Sequence, residues 1–141
     1  MQLPVKAHYA AQAMLALAVR HQASELLAAK TIADQYGIPS QFLGQILQQL
    51  RTAGLISSVR GSSGGFKLAR SPSRISMADI VEAVGCVSAF ESSGIELNPV
   101  AQTIQQVWLE LSELQSGYLQ NLSLADLSQR LAPETAGMFY I

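Results

Sequence analysis

Between Thr31 and Ala69 the chain places a short helix, a tight turn, a second helix and a glycine-tipped hairpin in immediate succession, and few folds accept that order. The sequence predicts a helix over Ala29 to Tyr36, ended by Gly37, which can take a positive φ. Gly37-Ile38-Pro39 makes the turn. The next helix runs from Pro39 or Ser40 to about Thr52, with Leu43, Ile46, Leu47 and Leu50 on one buried stripe. Ser40, Gln41, Gly44, Gln45, Gln48 and Arg51 lie away from that stripe. Gly54 closes the helix, Leu55 to Arg60 reads as a strand, and Phe66 to Ala69 is its hairpin partner.

A helix, a turn and an amphipathic helix make a rod that fits the DNA major groove. Glutamine donates and accepts at once, which suits the adenine edge there. In the hairpin, Arg60 precedes the tip and Lys67 follows it, so the tip presents cations to phosphates or a narrow minor groove. The expected DNA contacts are Ser40, Gln41, Gln45, Gln48, Arg51, Arg60, Ser62 and Lys67. Gly61, Gly64 and Gly65 would let the backbone approach nucleic acid closely. A nucleotide phosphate loop is the rival reading of Gly61-Ser62-Ser63-Gly64-Gly65, but its lysine-serine ending and following helix are absent.

The flanking segments complete a mainly α fold with a small β-hairpin wing. Pro4 to about Arg20 is an alanine-rich first helix, and Leu26-Leu27-Ala28 a short strand. Ser76 to Val84 is a helix opened by a capping-box pair, Ser76 and Asp79, and an Ile75/Ile80 staple. Asn98-Pro99 begins a long helix in which Val100, Ile104, Val107, Leu111, Leu114 and Tyr118 are spaced 4, 3, 4, 3, 4. That is the seam two supercoiled helices need, with Trp108 flanking it. The expected dimer interface is therefore Val100, Ile104, Val107, Trp108, Leu111 and Leu114. A last short helix starts at Ser123, and the tail from Pro133 reads as loosely held. The organisation expected is a winged helix-turn-helix domain over 1–84, a sensor or linker loop over 85–98, and dimerisation and short C-terminal helices over 99–141.

Charge supports the division. Residues 1–75 hold eight basic and two acidic side chains, a balance of +6, whereas residues 76–141 hold one and eight, a balance of −7. The basic half coincides with the proposed DNA reader, so a polyanion partner is expected for that half only. Apolar residues make up 49% of the chain, which argues against disorder. The one cysteine, Cys86, fits a reducing cytoplasm and is a candidate redox thiol, although nothing basic lies near it in sequence to activate it. His8 and His21 form no metal-ligand spacing with it and are assigned to packing and surface respectively. The apolar run Ala10 to Val19 is broken by Gln12 and is shorter than the roughly 20 residues a membrane span needs, so no export signal or membrane partner is expected. No nucleophile–base–orienter set assembles, which excludes the common enzyme designs.

Several segments together carry a family resemblance: Leu3-Pro4-Val5-Lys6-Ala7-His8-Tyr9-Ala10, Ile32 to Pro39, Phe42 to Leu47, Leu50 to Leu55, Ser58 to Ala69 and Asp79 to Val84. The chain resembles the Rrf-type winged-helix regulators, the group containing IscR, NsrR and CymR. The resemblance implies a bacterial homodimeric transcription factor, usually a repressor, whose long C-terminal helices cross. It implies double-stranded DNA as partner, the recognition helix in the major groove and Arg60 in the minor groove; the signal is expected through the loop Gly85 to Leu97, by a small effector, thiol oxidation or a regulatory partner protein. Two departures stand out. Many members carry three cysteines before the dimer helix as iron–sulfur ligands, and here that loop has none, so no cofactor is expected. Gly44 stands where cluster-sensing members often place Glu. A winged-helix protein–protein adaptor without DNA binding is the alternative.

Overall fold

The computed structural model describes residues 3–86 and 98–139, with side chains described as far as Leu131. Six α-helices and one hairpin follow in the order α1 (Val5–Val19), α2 (Ala29–Tyr36), α3 (Ser40–Thr52), β1 (Ile56–Val59), β2 (Gly65–Leu68), a 3-10 turn (Pro72–Arg74), α4 (Met77–Ala83), α5 (Pro99–Gln120) and α6 (Leu124–Phe139).

Alanine explains the centre of this arrangement. In α1 the buried side chains are Ala7, Ala10, Ala13, Met14, Ala16, Leu17 and Ala18. Small side chains let other helices come close, and α1 packs against α2, α3, α4, α6 and β2. Around it Ile32, Leu43, Ile46, Leu47, Leu50, Leu55, Ile75, Ile80 and Leu124 are almost wholly buried. Each such side chain contributes about 1.5–3 kcal/mol through removal from water.

The helix-turn-helix is set by Gly37, whose φ of 64° and ψ of 32° end α2 in the left-handed region. Ile38 then turns into the core, and Pro39 stands at the N-cap of α3. No side chain caps α2, and Ala28 holds the N-cap position.

The wing is antiparallel, pairing Ile56 with Leu68, Ser57 with Lys67, Ser58 with Phe66 and Val59 with Gly65. The strand expected at Leu26–Ala28 shortens to one bridge, in which Leu27 and Phe66 exchange backbone bonds of 3.0 and 2.8 Å. A two-stranded sheet is marginal alone, so this bridge ties the wing to the helical core.

Two capping boxes organise the C-terminal part. The Ser76 hydroxyl accepts from the Asp79 N–H, and Asp79 accepts from the Ser76 N–H. Ser123 and Asp126 repeat the pattern at α6, at 3.1 and 3.0 Å. The two caps are joined, because Met77 N–H donates to Leu122 O and Leu124 N–H to Ile75 O. Asn98 caps α5 through a 2.8 Å bond from the Ala101 N–H. One C-terminal expectation is corrected and another lies outside the described residues. The last helix is not short: it spans 16 residues and runs through Pro133 to Phe139, so the proline gives up a ladder bond without ending the helix. The loop expected at 85–98 lies, beyond Cys86 and before Asn98, outside the described residues.

Two glycines make opposite demands. A Cβ on Gly64 would overlap the Val59 carbonyl oxygen, whereas one on Gly44, within α3, would meet nothing within 4 Å. Gly64→Ala is expected to destabilise the fold by on the order of 1–3 kcal/mol, and Gly44→Ala to stabilise it by about 0.5–1 kcal/mol. Urea denaturation checks both, and a Gly64→Ala midpoint equal to wild type would mean the tip relaxes freely. A second expectation concerns acid. The Ser123 N–H, then the Ser123 hydroxyl, and Arg130 hold the Asp126 carboxyl below its ordinary pKa of 3.8. Because the folded value is the lower one, the stability Asp126 contributes is present above pH 3.8 and is lost as pH falls through the folded value. Asp126→Asn should therefore flatten the acid limb of a stability–pH profile.

Candidate nucleic-acid interface

The stripe Leu43, Ile46, Leu47 and Leu50 fixes α3 against the core, and its opposite side is left to solvent. Ser40, Gln41, Gln45 and Gln48 are all exposed there, along with Arg51 at the flank. No charged side chain interrupts Gln41, Gln45 and Gln48, so the face offers paired donors and acceptors. No side chain caps the start of α3 either, and uncapped first-turn N–H groups suit a phosphate. Gln49, the fourth glutamine of the helix, is half-buried and sits beside Ala83 in the cleft next to α4.

Arg51 has a second role that its position in sequence did not reveal. Its guanidinium donates to the Ser58 hydroxyl at 3.2 Å, linking α3 to the first wing strand. Beyond that link Arg60, Ser62 and Lys67 are exposed around the hairpin tip. The tip is closed by Gly64 N–H donating to Gly61 O at 3.0 Å. The wing glycines have an intrachain cause as well. A Cβ on Gly65 would sit 2.7 Å from the Leu27 carbonyl, so Gly65 is needed for the wing to pack on its own protomer, and Gly64 for the hairpin to close on Val59 and Arg60. All eight side chains expected to touch DNA thus lie on the surface formed by α3 and the wing.

The expected dimer seam is equally bare. Val100, Ile104, Val107, Trp108, Leu111 and Leu114 are between 37% and 76% exposed. No residue of α5 is buried.

Two histidine assignments reverse. His8 is exposed on α1 instead of packed, and His21 is half-buried instead of at the surface. His8 lies opposite the buried face made by Ala7, Ala10, Ala13, Met14 and Leu17; its ring is 6.3 Å from that of Tyr9, which in turn faces Phe42 of α3. Cys86 is half-buried against the core, its thiol 3.7 Å from Val84 O. It borders a groove of about 660 Å³ between α4 and α5, with Val81, Leu114, Gln115 and Leu119 in the wall.

The model for Rrf2, described as iron-dependent transcriptional regulator, matches residues 3–130. The chain belongs to the Rrf2 family. It is 35% identical over 130 residues to the HTH-type transcriptional regulator IscR of Serratia proteamaculans, covering 90% of this chain and 79% of that one. Its fold is similar to that of CymR, the global cysteine regulator of B. subtilis, with a TM-score of 0.81 and 27% identity over 92% of this chain and 98% of that one. IscR of T. potens superposes with a TM-score of 0.76 and 31% identity, over 92% and 88% of the two chains. The Rrf2 family is one of transcriptional regulators, not of enzymes. Iron is a separate question. Iron–sulfur clusters are held by thiolates, and the whole sequence has one cysteine. Among the described residues no three His, Cys, Asp or Glu side chains gather where they could hold a metal ion. This donor set does not fit a three-cysteine cluster. None of the described helices is long and apolar enough to cross a membrane.

Proposed function

We propose that this Rrf2-family protein is a cytoplasmic homodimeric repressor that reads a roughly palindromic operator. Helix α3 enters the major groove, and the wing over 59–67 reaches the adjacent minor groove. One observation carries the reading: the exposed Ser40, Gln41, Gln45 and Gln48 face of α3 stands beside a wing whose exposed tip carries Arg60, Ser62 and Lys67. Ser40 and Gln41 meet phosphates or bases at the groove edge, while Gln45 and Gln48 read bases. Arg60 serves the minor groove, where a guanidinium suits the concentrated negative potential. Arg51 and Lys67 face the backbone.

The uncovered seam supports the dimer. An apolar stripe of three heptads is stable in water only when another surface covers it. Two-fold symmetry then sets two recognition helices into successive major grooves. Repression rests on the family resemblance, by occupancy of a promoter. The signal is a small effector or regulatory protein acting through residues 85–98, and the groove beside Cys86 is where such a ligand would touch both α4 and α5. The adaptor alternative has no comparable support from an exposed basic wing.

Fluorescence anisotropy with the duplex upstream of the protein's own gene tests the reading. Affinity should fall linearly on a log–log plot as salt rises. Arg60→Ala should weaken binding by roughly tenfold or more at fixed salt, following the 1–3 kcal/mol expected for a specific contact; unchanged affinity would overturn the wing assignment. Leu114, at 72% exposure, is free of the protomer core. Leu114→Lys should therefore yield folded monomers by sedimentation, and an intact dimer would move the interface elsewhere.

A further inference from the structure

We propose that Gln49 is a positioning residue for sequence reading: its buried amide oxygen takes one of the N–H donors of Gln45 and so fixes which way the Gln45 amide faces a base. The inference rests on the reading of α3 as the helix that enters the major groove.

One side-chain atom of α3 is orphaned. Gln49 Oε1 is shut off from solvent and accepts no hydrogen bond. A buried acceptor left unpaired is unfavourable, and water does not reach this one to relieve it. Its donor must come from the cleft of about 330 Å³ between α3 and α4, which Gln45, Gln48, Gln49, Thr52, Ala53 and Ala83 line. Most groups there are already committed or misplaced. Thr52 Oγ1 donates to Gln48 O at 2.9 Å, and the Ala53 N–H to the backbone carbonyl of Gln49 at 3.0 Å. Ala83 ends α4, where backbone N–H groups bond along the helix. Gln48 is the adjacent residue, and neighbours i and i+1 do not face each other on a helix. Gln45 stands one turn back, at the i, i+4 spacing that does bring side chains together. It is exposed, so its side chain is free to swing onto the cleft.

The chemistry of the amide gives this pairing a consequence. A glutamine amide carries two N–H donors and one carbonyl acceptor. Reading adenine bidentately uses the carbonyl on the N6 amino group and one N–H on N7. The second N–H is left over and points away from the base. Given to Gln49 Oε1, it holds the Gln45 amide in the orientation that suits adenine, and a flipped amide forfeits the bond. A duplex seated on α3 displaces water from the exposed face, and the lower local dielectric strengthens the pairing in the complex. Gln49 itself touches no base.

Anisotropy competition with the full chain tests this, using the operator and a set of operator duplexes in which each base pair is changed in turn. The variants are Gln45→Ala, Gln49→Leu, Gln49→Glu, and Gln45→Ala combined with Gln49→Leu. Gln45→Ala defines the base pair that Gln45 reads, as the one where discrimination disappears. At that base pair Gln49→Leu should lower discrimination about fivefold, the effect of one lost hydrogen bond. Discrimination elsewhere and the salt slope should not change, since no phosphate contact is removed. Gln49→Glu, which can only accept, should keep the wild-type ratio at that base pair. In the Gln45→Ala background Gln49→Leu should not weaken operator binding further, because the two residues act as one unit. Wild-type discrimination in Gln49→Leu, or a further loss of equal size in the Gln45→Ala background, would overturn the positioning role and leave the reading of α3 standing. Loss of discrimination in Gln49→Glu would overturn the acceptor role. Gln45→Ala indistinguishable from wild type on every duplex would overturn base reading by Gln45 and this inference with it.

Discussion

The backbone of Gly65 lies so close to the carbonyl of Leu27 that no side chain could come between them, and the position of the wing depends on that approach. Two strands of four residues each have little stability of their own. They are held by the Leu27–Phe66 bridge, by Arg51 on Ser58, and by Ala69 N–H donating to Leu55 O. These ties run to the segment before α2, to α3, and to the residue that follows its C-terminal turn. The spacing between the glutamine face and Arg60 is consequently set by the protomer before any partner arrives. A surface ordered in advance loses less conformational freedom on association, which favours a rigid reader over one moulded by its target.

Helices α1 and α5 are both rich in apolar side chains and meet opposite fates. Alanine dominates α1, so neighbours approach its backbone on several sides and it becomes the centre of the core. Larger side chains line α5, in a single heptad stripe along 22 residues. That length corresponds to about 33 Å at 1.5 Å per residue. Within the protomer α5 packs on α4, yet its stripe stays bare. Docking of the next helix comes from Leu124, which is fully buried, and from the paired caps at Ser76 and Ser123. The C-terminal arm is thus anchored at α4 and at the start of α6 while its apolar stripe is left exposed.

Local patterns were the legible part. The α3 stripe, the Gly37 turn, the Ser76–Asp79 box and the long Asn98-capped helix each follow from residues within a few positions of one another. What was not legible depends on partners distant in sequence. Leu27 pairs with Phe66 because of how the wing folds back, and its neighbours Leu26 and Ala28 do not extend the strand. The wing glycines were read as room for nucleic acid, whereas Gly64 and Gly65 first make room for the chain itself. His8 was assigned to packing, whereas the buried Ala7, Ala10, Ala13, Met14 and Leu17 turn the other side of α1, with His8, outward. A proline at position 133 suggested an end that the helix does not take. The eight candidate DNA contacts came from the α3 period and the hairpin order, which is why all eight fall on one exposed surface, though the second role of Arg51 could not be foreseen.

The net charge of −1 conceals a division that orients the molecule. Lys6, Arg20, Lys30, Arg51, Arg60, Lys67, Arg70 and Arg74 belong to α1 and the residues just after it, the helix-turn-helix, its wing and the turn that follows, with Asp34 and Glu25, the latter paired with Arg20, as the acids there. Asp79, Glu82, Glu110, Glu113 and Asp126 occupy α4, α5 and α6, with Arg130 as the cation. A duplex approaching the first region is attracted and one approaching the second is repelled, over distances near the Debye length of about 8 Å in physiological salt. The acidic arm therefore disfavours wrong-way encounters, and a second copy pairing through the α5 stripe, as proposed, would make an apolar contact unaffected by screening. Attraction on one side, repulsion on the other and the proposed uncharged seam between copies are mutually compatible only if the duplex and the partner meet different residues, and the basic side chains of α3 and the wing are distinct from the apolar stripe of α5.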